Sequence, residues 1–486
     1  MKYAPILIAS FLLFSLTAFG QQKVDQCYTC HQAVEDKPST LFASDVHHAM
    51  GITCAGCHGG NSNSEDMETA MDRKAGFRGA PKGDDISATC ENCHSNPERM
   101  KSFGSKLPTN QGSNLKVSIH GRLSITGKER LAQCTTCHGA HGIRRVKDPK
   151  SPVYPLNVTQ TCAKCHSNAT FMRNYNPALP IDQLEKYKTS VHGILHAKGD
   201  PNVAECASCH GSHDILAASD VNSKVYATNL PETCASCHSN PEHMKKYKIP
   251  TDQFAKFKVS VHGKALLEKH DLGAPACNDC HGNHGATPPG VQSISQVCGT
   301  CHALNADLFA SSPHKKAFDA RKLPECETCH SNHDIEPATE QMLGVTADAL
   351  CSRCHTPTEN PKGYSAAMAM RSMIDSLMHA EDEARSLVDE AEQKGMEISE
   401  AKFKLRDVRQ ARLETRTTVH AFNEKKLETV VDKGMKSAEE VSGEAGEAIH
   451  EYYFRRWGLG ISTIIITILA ISLYSYIRRI ERKKQG

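Results

Sequence analysis

The pattern of apolar and polar residues separates a long irregular region from a helical end. Over residues 364–394 apolar side chains recur with a period near 3.6, which predicts an amphipathic helix that ends at Gly395. The same spacing predicts a second helix over residues 399–433, followed by Gly434, and a third helix from Ala438 onward. Long consecutive helices of this kind are expected to pack as an antiparallel bundle.

The third predicted helix continues into a stretch that suits a membrane. Residues 458–477 contain no charged side chain and are rich in Ile and Leu, which is long and apolar enough for a bilayer span. Basic residues are concentrated after this span, in residues 478–486, whereas only Arg455 and Arg456 flank its other end. The positive-inside rule therefore places the carboxyl end in the cytoplasm.

The amino end resembles an export signal. Lys2 supplies a positive start, residues 6–16 an apolar stretch, and Ala18-Phe19-Gly20 a cleavage site with small residues. A retained amino-terminal anchor is the alternative, but the apolar run is short for a span. Together with the carboxyl-terminal helix, this signal predicts a periplasmic body anchored in a bacterial inner membrane.

The region between these ends has little material for an ordinary core, since 39% of all residues are hydrophobic and 6% aromatic. Instead it holds all 22 cysteines, and each belongs to a Cys-x-x-Cys-His motif, about one per 30 residues. The eleven motifs are Cys27/Cys30/His31, Cys54/Cys57/His58, Cys90/Cys93/His94, Cys134/Cys137/His138, Cys162/Cys165/His166, Cys206/Cys209/His210, Cys234/Cys237/His238, Cys277/Cys280/His281, Cys298/Cys301/His302, Cys326/Cys329/His330 and Cys351/Cys354/His355.

This motif is the attachment site of haem c. The two thiols bond to the porphyrin, and the adjacent His reaches the iron as the proximal ligand. Zinc ribbons use two Cys-x-x-Cys pairs per metal, so eleven motifs would leave one pair over, and a disulfide framework gives no reason for the His. The sequence therefore predicts eleven covalently attached haems.

Eleven haems change the meaning of the composition and the charge. Porphyrins replace apolar side chains as the core, which predicts short helices and irregular loops with little sheet around the macrocycles. The formal charge of the polypeptide is +2, and the haem propionates make the holoprotein acidic. Nothing in this balance favours nucleic-acid binding.

The haem motifs belong to an internal repeat of about 72 residues. A unit has an upstream His, a first motif that continues Cys-His-Gly-x-His, and a second motif that often continues Cys-His-Ser-Asn. The motif at Cys27 precedes the array as a half unit, and five two-haem units follow. The fifth unit is shorter, and Asn61 occupies the post-motif position in the first.

Each unit offers two further histidines for two haems, the ratio that bis-His ligation requires. The candidate distal ligands are the upstream His47, His120, His192, His262 and His314, the post-motif His141, His213, His284 and His333, and His48, which stands beside His47 where Asn61 breaks the pattern. These are ten candidates for eleven haems.

The eleventh distal ligand is left open by the repeat. It comes from His196, His243, His270, His379, His420 or His450, or one haem has an open site. The helical tail begins directly after the last motif, so His420 and His379 are favoured, and His420 is our candidate. Axial ligation by Met100, Met172 or Met244 is an alternative, although their recurrence fits packing equally well.

These residues resemble periplasmic multihaem cytochromes c. The Ser-Val-His-Gly and Cys-His-Gly-x-His phrases are similar to those of small tetrahaem and NapC/NirT-type electron-transfer cytochromes. The long helices after the final haem are similar to the tail of octahaem hydroxylamine oxidoreductases and pentahaem nitrite reductases. This chain lacks the Cys-x-x-Cys-Lys motif common at the catalytic haem of those nitrite reductases, and its anchor is at the opposite end from that of NapC/NirT proteins.

The predicted domains are a signal peptide (1–20), an undecahaem cytochrome c domain (21–360), a helical bundle (361–456), a transmembrane helix (457–477) and a basic cytoplasmic tail (478–486). The expected function is electron transfer between a quinol-oxidising partner in the inner membrane and periplasmic acceptors. The span has no His or acidic residue for haem b or quinol protons, which implies a partner subunit. The alternatives are an oxidoreductase of the hydroxylamine or nitrite class with one open-site haem, and a scaffold subunit of a respiratory complex.

Overall fold

A computed structural model describes residues 24–289 and 294–484, so the predicted signal peptide lies outside the described residues. The described chain consists of helices and irregular loops and contains no strand, apart from an isolated bridge between Leu123 and Arg130. The predicted fold class, short helices and loops followed by long helices, is thereby confirmed.

The helices of the haem-motif region are short. They are α1 (Gln26–Ala33), α2 (Lys37–Phe42), α3 (Val46–Ala49), α4 (Cys54–His58), α5 (Met67–Ala70), α6 (Asp84–His94), α7 (Pro97–Ser102), α8 (Gln111–Val117), α9 (Cys134–His138), α10 (Pro155–His166), α11 (Ala169–Tyr175), α12 (Gln183–Thr189), α13 (Val191–Ala197), α14 (Cys206–His210), α15 (Leu230–His238), α16 (Pro241–Met244), α17 (Gln253–Val259), α18 (Val261–Gly263), α19 (Cys277–His281), α20 (Ile294–Gly299), α21 (Ala303–Ala310), α22 (Pro313–Arg321) and α23 (Glu327–His330).

Three long helices complete the chain, α24 (Pro361–Gln393), α25 (Ser399–Thr418) and α26 (Glu424–Lys484). By its internal contacts the chain divides into two compact units. The first comprises residues 1–237 and 282–287, and the second comprises residues 238–281 and 288–486. Both units contain haem motifs, and the second also contains the long helices.

The first motif of four units forms a helix of only five residues, because the residue after its His turns the chain away. Gly59, Gly139, Gly211 and Gly282 have φ angles between 73° and 84°, a region that a side chain strongly disfavours. At Gly59 a Cβ would also lie 2.0 Å from the carbonyl oxygen of Gly76. The glycine of Cys-His-Gly-x-His therefore ends the motif helix and redirects the next His.

The second motif ends a helix and begins another. In the first three units the Asn of Cys-His-Ser-Asn caps the following helix, because its side-chain oxygen accepts the backbone N–H three residues later. The oxygen of Asn96 accepts from Arg99 at 3.1 Å, and that of Asn168 accepts from Phe171 at 3.0 Å. The Ser-Asn extension is thus a structural device that sets the direction of the chain after the haem motif.

The long helices α24, α25 and α26 pack around an apolar core of their own. Leu377, Val408, Leu427 and Val441 are fully buried there. Their apolar side chains recur at the spacing of one helix face, as the sequence predicts. At roughly 2 kcal/mol or more per fully buried Leu or Val, this core needs no porphyrin to be stable.

The predicted boundary between the second and third long helices is wrong. Helix α25 ends at Thr418, and a short 3-10 turn leads to Phe422, whose φ of 45° breaks the helix. Gly434 lies inside α26 instead, because a Cβ there would come within 2.7 Å of Leu377 and 2.8 Å of Ala411. This glycine allows close helix packing, which a sequence pattern does not distinguish from a helix end.

The carboxyl-terminal part of α26 is long and apolar enough to cross a membrane. Its side chains are not covered by the rest of the chain: Ile461 is 56% exposed and Ile466 65%. Apolar side chains of this number are unfavourable in water and suit a lipid environment.

Candidate haem-binding sites

Motif histidines lie opposite non-motif histidines throughout both units. In nine pairs the ring centroids are 5.8 to 6.3 Å apart. The pairs are His58–His141, His94–His47, His138–His213, His166–His120, His210–His284, His281–His333, His302–His262, His330–His420 and His355–His314.

This separation fits an iron between two imidazoles. A metal to nitrogen bond of about 2 Å on each side, with roughly 1 Å from nitrogen to ring centre, places the centroids about 6 Å apart. Two imidazoles in direct contact would be closer: the rings of His314 and Phe422, which do touch, are 3.8 Å apart. The nine pairs therefore have the spacing that a bis-His haem needs, next to thiols that can hold its porphyrin.

The pairing follows a register along the chain. An upstream His faces the second motif of its own unit, as His47 faces His94 and His120 faces His166. A post-motif His instead faces the first motif of the preceding unit, as His141 faces His58. Counting histidines in the sequence gives the right number for this arrangement but does not show that neighbouring units exchange them.

A recurring backbone hydrogen bond accompanies this exchange. The N–H before an upstream His donates to the carbonyl oxygen two residues after the post-motif His of the next unit. The four bonds are Val46 to Ile143 (2.8 Å), Ile119 to Ile215 (2.8 Å), Val191 to Ala286 (3.1 Å) and Val261 to Ile335 (2.9 Å). Each bond ties one repeat to the next at the point where the histidine crosses over.

The two kinds of pair differ in the angle between their imidazole planes. All five pairs with the first motifs are close to parallel, with angles of 9° to 25°. Of the four described pairs with second motifs, three are close to perpendicular, at 78° to 89°, and His262–His302 is at 34°. Imidazole orientation therefore alternates with the repeat.

His420 lies where the register requires a histidine from a further unit. Its ring is 6.0 Å from that of His330 in the first motif of the fifth unit, which has no next unit to supply one. The 3-10 turn Val419–Ala421 between α25 and α26 holds it, and its Nδ1 lies 3.0 Å from the carbonyl oxygen of Thr417. That hydrogen bond leaves Nε2 available to a metal.

The half unit at Cys27 differs from the others. His31 Nδ1 lies 2.5 Å from a carboxylate oxygen of Asp36, and within the described part of the chain no other imidazole lies at 6 Å from its ring. His48 packs against the rings of Tyr28 and Phe42, at 4.9 and 5.0 Å. The structure therefore does not bring His48 into one of the pairs, and its ligand role stays a prediction.

The register also accounts for Asn61. A post-motif His serves the first motif of the preceding unit, and before the first unit there is only a lone half unit. Asn61 instead stabilises its own loop, where its side-chain oxygen accepts the backbone N–H of Asn63 at 3.1 Å. We therefore see no haem that a histidine at this position would serve by the register.

The remaining candidates are placed elsewhere. His196 packs on Tyr187, His243 packs on Tyr247, and the exposed His379 pairs with Glu383 on the surface of α24. The methionines considered as axial ligands, Met100, Met172 and Met244, are 4% to 7% exposed and belong to the small apolar cores. Recurrence of these methionines is thus accounted for by packing.

Burial keeps the paired imidazoles in the neutral form that binds metal. It lowers the pKa of His120, His138 and His210, with a smaller contribution from the neighbouring imidazole. At His314 burial and the nearby His355 lower the pKa to about 4. Neutral imidazole is the ligand form, so the sites need no deprotonation at neutral pH.

Nδ1 partners orient several of the rings, and no sequence pattern indicates them. The Nδ1 of His58 lies 2.8 Å from the carbonyl oxygen of Gly79, whereas that of His47 lies 2.9 Å from the carboxylate of Asp45. Burial raises the pKa of Asp45, but hydrogen bonds from the side chain and backbone of His47 and the backbone of Ile143 lower it further, so the net pKa is below its ordinary value. Asp45 is therefore a buried anion beside a candidate iron ligand.

Attachment cysteines of successive motifs also come together. The thiol of Cys90 interacts with that of Cys134, which raises the pKa of Cys90 and lowers that of Cys134. The same relation holds for Cys162 with Cys206 and for Cys298 with Cys326. In each case a second motif adjoins the first motif of the next unit, so the attached porphyrins have neighbouring edges.

The second cysteine of a motif is less enclosed than the first. The first cysteine of every motif is half-buried, whereas the second is exposed in six motifs, at Cys30, Cys57, Cys137, Cys280, Cys301 and Cys354. The expectation that the attachment thiols lie inside a core therefore does not hold for these six side chains. A thioether bond to a porphyrin nevertheless requires a thiol that the polypeptide leaves uncovered.

Cys30, Cys301 and Cys354 depart furthest from that expectation, because their surroundings supply little cover. Cys30 belongs to α1, none of whose residues is buried. Cys301 and Cys354 follow the ends of short elements, α20 and the 3-10 turn Cys351–Arg353, and such elements bury few side chains. The structure thus does not place these three thiols in an enclosed site, and their role in haem attachment stays a prediction from the motif.

Comparison with known proteins gives three family matches. Residues 46–175 match the family described as cytochrome c3, residues 318–360 the doubled CXXCH motif, and residues 15–59 the family of cytochrome c554 and c-prime. The three matches all lie on segments that contain haem motifs.

Two curated proteins are similar over longer stretches. The multiheme cytochrome MtrA of Shewanella baltica is 22% identical over 280 residues, which cover 55% of this chain and 68% of that protein. The C-type polyheme cytochrome OmcC of Geobacter sulfurreducens is 22% identical over 347 residues, covering 59% of this chain and 42% of that protein. The chain thus spans about two thirds of one relative and less than half of the other.

Proposed function

Because this chain is a multihaem c-type cytochrome with covalently bound haem c, we propose that it is an eleven-haem, membrane-anchored electron carrier of the bacterial periplasm. It passes single electrons between a quinol-oxidising partner in the inner membrane and periplasmic acceptors. The observation that carries the proposal is the series of nine imidazole pairs with the spacing of bis-His iron ligation.

The proposed ligand sets follow the register of these pairs. Each motif His is the proximal ligand, and upstream and post-motif histidines fill the distal positions. His192 has the upstream position of its unit in the sequence, and the register assigns it to the haem attached at Cys234 and Cys237. Haems with two imidazole ligands exchange electrons without binding a substrate at the iron, which suits a carrier.

Contacts between attachment sites support transfer from haem to haem. The adjoining thiols of Cys90 and Cys134, and of Cys162 and Cys206, place porphyrin edges of successive repeats side by side. Electrons then move between close, fixed cofactors, and the protein supplies their spacing and surroundings. A repeat that exchanges ligands with its neighbours holds this spacing rigid.

The apolar end of α26 is proposed as the anchor. Basic residues after the span, Arg478 to Lys484, favour a cytoplasmic carboxyl end, which leaves the haem motifs on the periplasmic side. The span itself has neither His nor acidic side chains with which to bind haem b or accept quinol protons. A separate quinol-oxidising subunit therefore supplies the electrons.

The proposal is tested with full-length holoprotein in detergent, by following haem reduction in a stopped-flow spectrophotometer. Menadiol alone should reduce the haems slowly, whereas menadiol with inner membranes from the source bacterium should reduce them at least ten times faster. The reduced protein should then pass electrons to a soluble monohaem cytochrome c. Equal rates with and without membranes would contradict the need for a partner.

A matched control is a chain that ends at Trp457. It keeps every haem motif, the α24–α26 core and His420, and loses only the apolar end of α26 and the basic residues. We expect it to retain its haems, to leave the membrane fraction and to lose the membrane-dependent reduction. If it stayed membrane-bound, the anchor would lie elsewhere in the chain.

A second candidate function is substrate reduction or oxidation at one open-site haem, of the hydroxylamine or nitrite class. The observation that favours it is the register, which supplies ten distal histidines for eleven motifs and leaves the haem of His31 outside the repeat. Nitrite and hydroxylamine are added to the oxidised and reduced protein. Turnover, with a change at one haem equivalent in the spectrum, would establish an enzyme, and spectra unchanged by either compound would rule it out.

A further inference from the structure

Asp45 is a buried carboxylate beside a proposed iron ligand. It is 2% exposed and accepts three hydrogen bonds within the first unit of the fold. The backbone N–H of His47 donates at 2.8 Å, that of Ile143 at 2.7 Å, and the ring Nδ1 of His47 lies 2.9 Å away. The ring contact fixes His47 with Nδ1–H toward the carboxylate and Nε2 toward His94.

The corresponding residue in the other four units is serine. These serines precede the upstream His by two positions and are buried in the same way: Ser118, Ser190, Ser260 and Ser312. The hydroxyl of Ser118 donates to the carbonyl oxygen of Leu115 and accepts from the N–H of Gly121, so it caps the turn. Only the first unit places a negative charge at this position.

The fifth unit shows the contrast most clearly. Among the described residues, neither the hydroxyl of Ser312 nor the Nδ1 of His314 has a hydrogen-bond partner. His314 is otherwise equivalent to His47, since each is the upstream His opposite a second-motif His at nearly perpendicular ring angles, 86° and 89°. The two sites therefore differ chiefly in the carboxylate.

A carboxylate that accepts the Nδ1–H of an axial imidazole raises the basicity of that ligand. The extra electron density, together with the nearby negative charge, stabilises ferric iron relative to ferrous iron and lowers the reduction potential. The effect is strong in a buried site because little water screens the charge.

We propose that Asp45 is a positioning residue that gives His47 imidazolate character and thereby lowers the reduction potential of the haem attached at Cys90 and Cys93. This inference rests on the proposed function, because it takes His47 and His94 as the ligands of that haem. It distinguishes one second-motif haem from its four equivalents, so electrons reside on it less readily than its repeat position alone would dictate.

The test compares full-length holoprotein with D45S and D45N, using redox titration followed by electron paramagnetic resonance and near-infrared magnetic circular dichroism. D45S installs the residue that the repeat uses elsewhere, and D45N keeps the size and the capping oxygen but removes the charge. In both variants one haem equivalent should become easier to reduce, with the ferrous to ferric ratio rising about tenfold at a fixed potential, equivalent to about 59 mV. The ligand-sensitive near-infrared band of that haem should move with it.

The control is D66N, which removes a carboxylate that caps α5 at the protein surface and contacts no proposed ligand. Its titration should match that of the unaltered protein. Unchanged potentials in both D45S and D45N, with full haem content, would overturn the inference. A high-spin haem in D45N would also overturn it, since Asp45 would then hold His47 in place rather than set the potential.

Failure of the inference can be separated from failure of the proposed function. In H47A, one low-spin haem should be lost from the spectrum if His47 is a ligand. A low-spin count unchanged in H47A would refute the ligand assignment itself, whatever the Asp45 variants show. Loss of the signal in H47A together with unchanged potentials in D45S and D45N would refute only the role of Asp45.

Discussion

Replacing His420 by Ala tests whether the helical tail completes the haem array. The ring of His420 lies 6.0 Å from that of His330, and its hydrogen bonds within the described chain are to the turn that holds it and to Asn305. The substitution removes about 1 kcal/mol of hydrogen bonding, which the α24–α26 core easily tolerates. The expected effect is therefore on the metal rather than on the fold.

The size of the effect follows from the register. His420 has one proposed partner, His330, so one haem of the proposed eleven should lose its distal ligand and the other ten should be unchanged. Electron paramagnetic resonance of the oxidised protein should show one low-spin equivalent replaced by one high-spin equivalent. Carbon monoxide should then bind the reduced variant at one haem more than it binds the unaltered protein.

The matched control is His379→Ala on α24 of the same bundle. His379 is 78% exposed and pairs with Glu383 at the surface, away from any proposed iron. Its spectrum should equal that of the unaltered protein. If His420→Ala also left the low-spin count and carbon monoxide binding unchanged, the tail would not supply a ligand and the reasoning from ring distances would be refuted.

Two further predictions follow from the contacts. Replacing His141 by Ala should convert the haem of the preceding unit, attached at Cys54, to high spin while the haem attached next to His141 stays low-spin; peptide-resolved mapping of a covalent haem adduct distinguishes the two, and the reverse result would refute ligand exchange between units. Glu340 is paired with Arg416 at 2.7 Å; burial raises the pKa of this carboxyl, but the arginine lowers it more, so its net pKa is below 4.5. The pair therefore stabilises the fold by roughly 1 kcal/mol above pH 4.5 and loses this as pH falls through the lowered pKa; thermal melts of Glu340→Gln should show a deficit at pH 6 that shrinks below pH 4, and a deficit independent of pH would contradict this.

Features that depend on local chemistry were predictable from the sequence. The Cys-x-x-Cys-His spacing predicts haem attachment without any fold, and the 3.6-residue period predicts the long helices. The helical end failed at one point, because Gly434 serves close packing against Leu377 and Ala411 whereas Phe422 carries the break. A helix break at a left-handed Phe has no pattern that distinguishes it from a helical residue.

Features that depend on how distant segments meet were not predictable. The sequence supplies the right number of histidines, but only the fold shows that His141 faces His58 across a repeat boundary. The position of Asp45 in the sequence reads as an ordinary helix cap, and its contact with His47 depends on a fixed side-chain geometry. His420 stood as one of several candidates until its turn was placed beside His330.

The exposure of individual attachment thiols was equally beyond the sequence. All eleven motifs have the same spacing, yet Cys30, Cys301 and Cys354 are exposed where Cys93 and Cys165 are half-buried. The difference depends on which segments of the chain pack against each motif, and the motif itself carries no information on that packing.

Quantitative electron paramagnetic resonance of the fully oxidised protein, integrated against total haem, tests the central claim most directly. The account predicts eleven haems per chain and at least ten low-spin centres. Five of these should have the rhombic spectrum of near-parallel imidazoles, and a separate group should have the large-gmax signals of near-perpendicular ones. Two or more high-spin haems, or a single uniform low-spin class, would contradict the proposed array of bis-His haems.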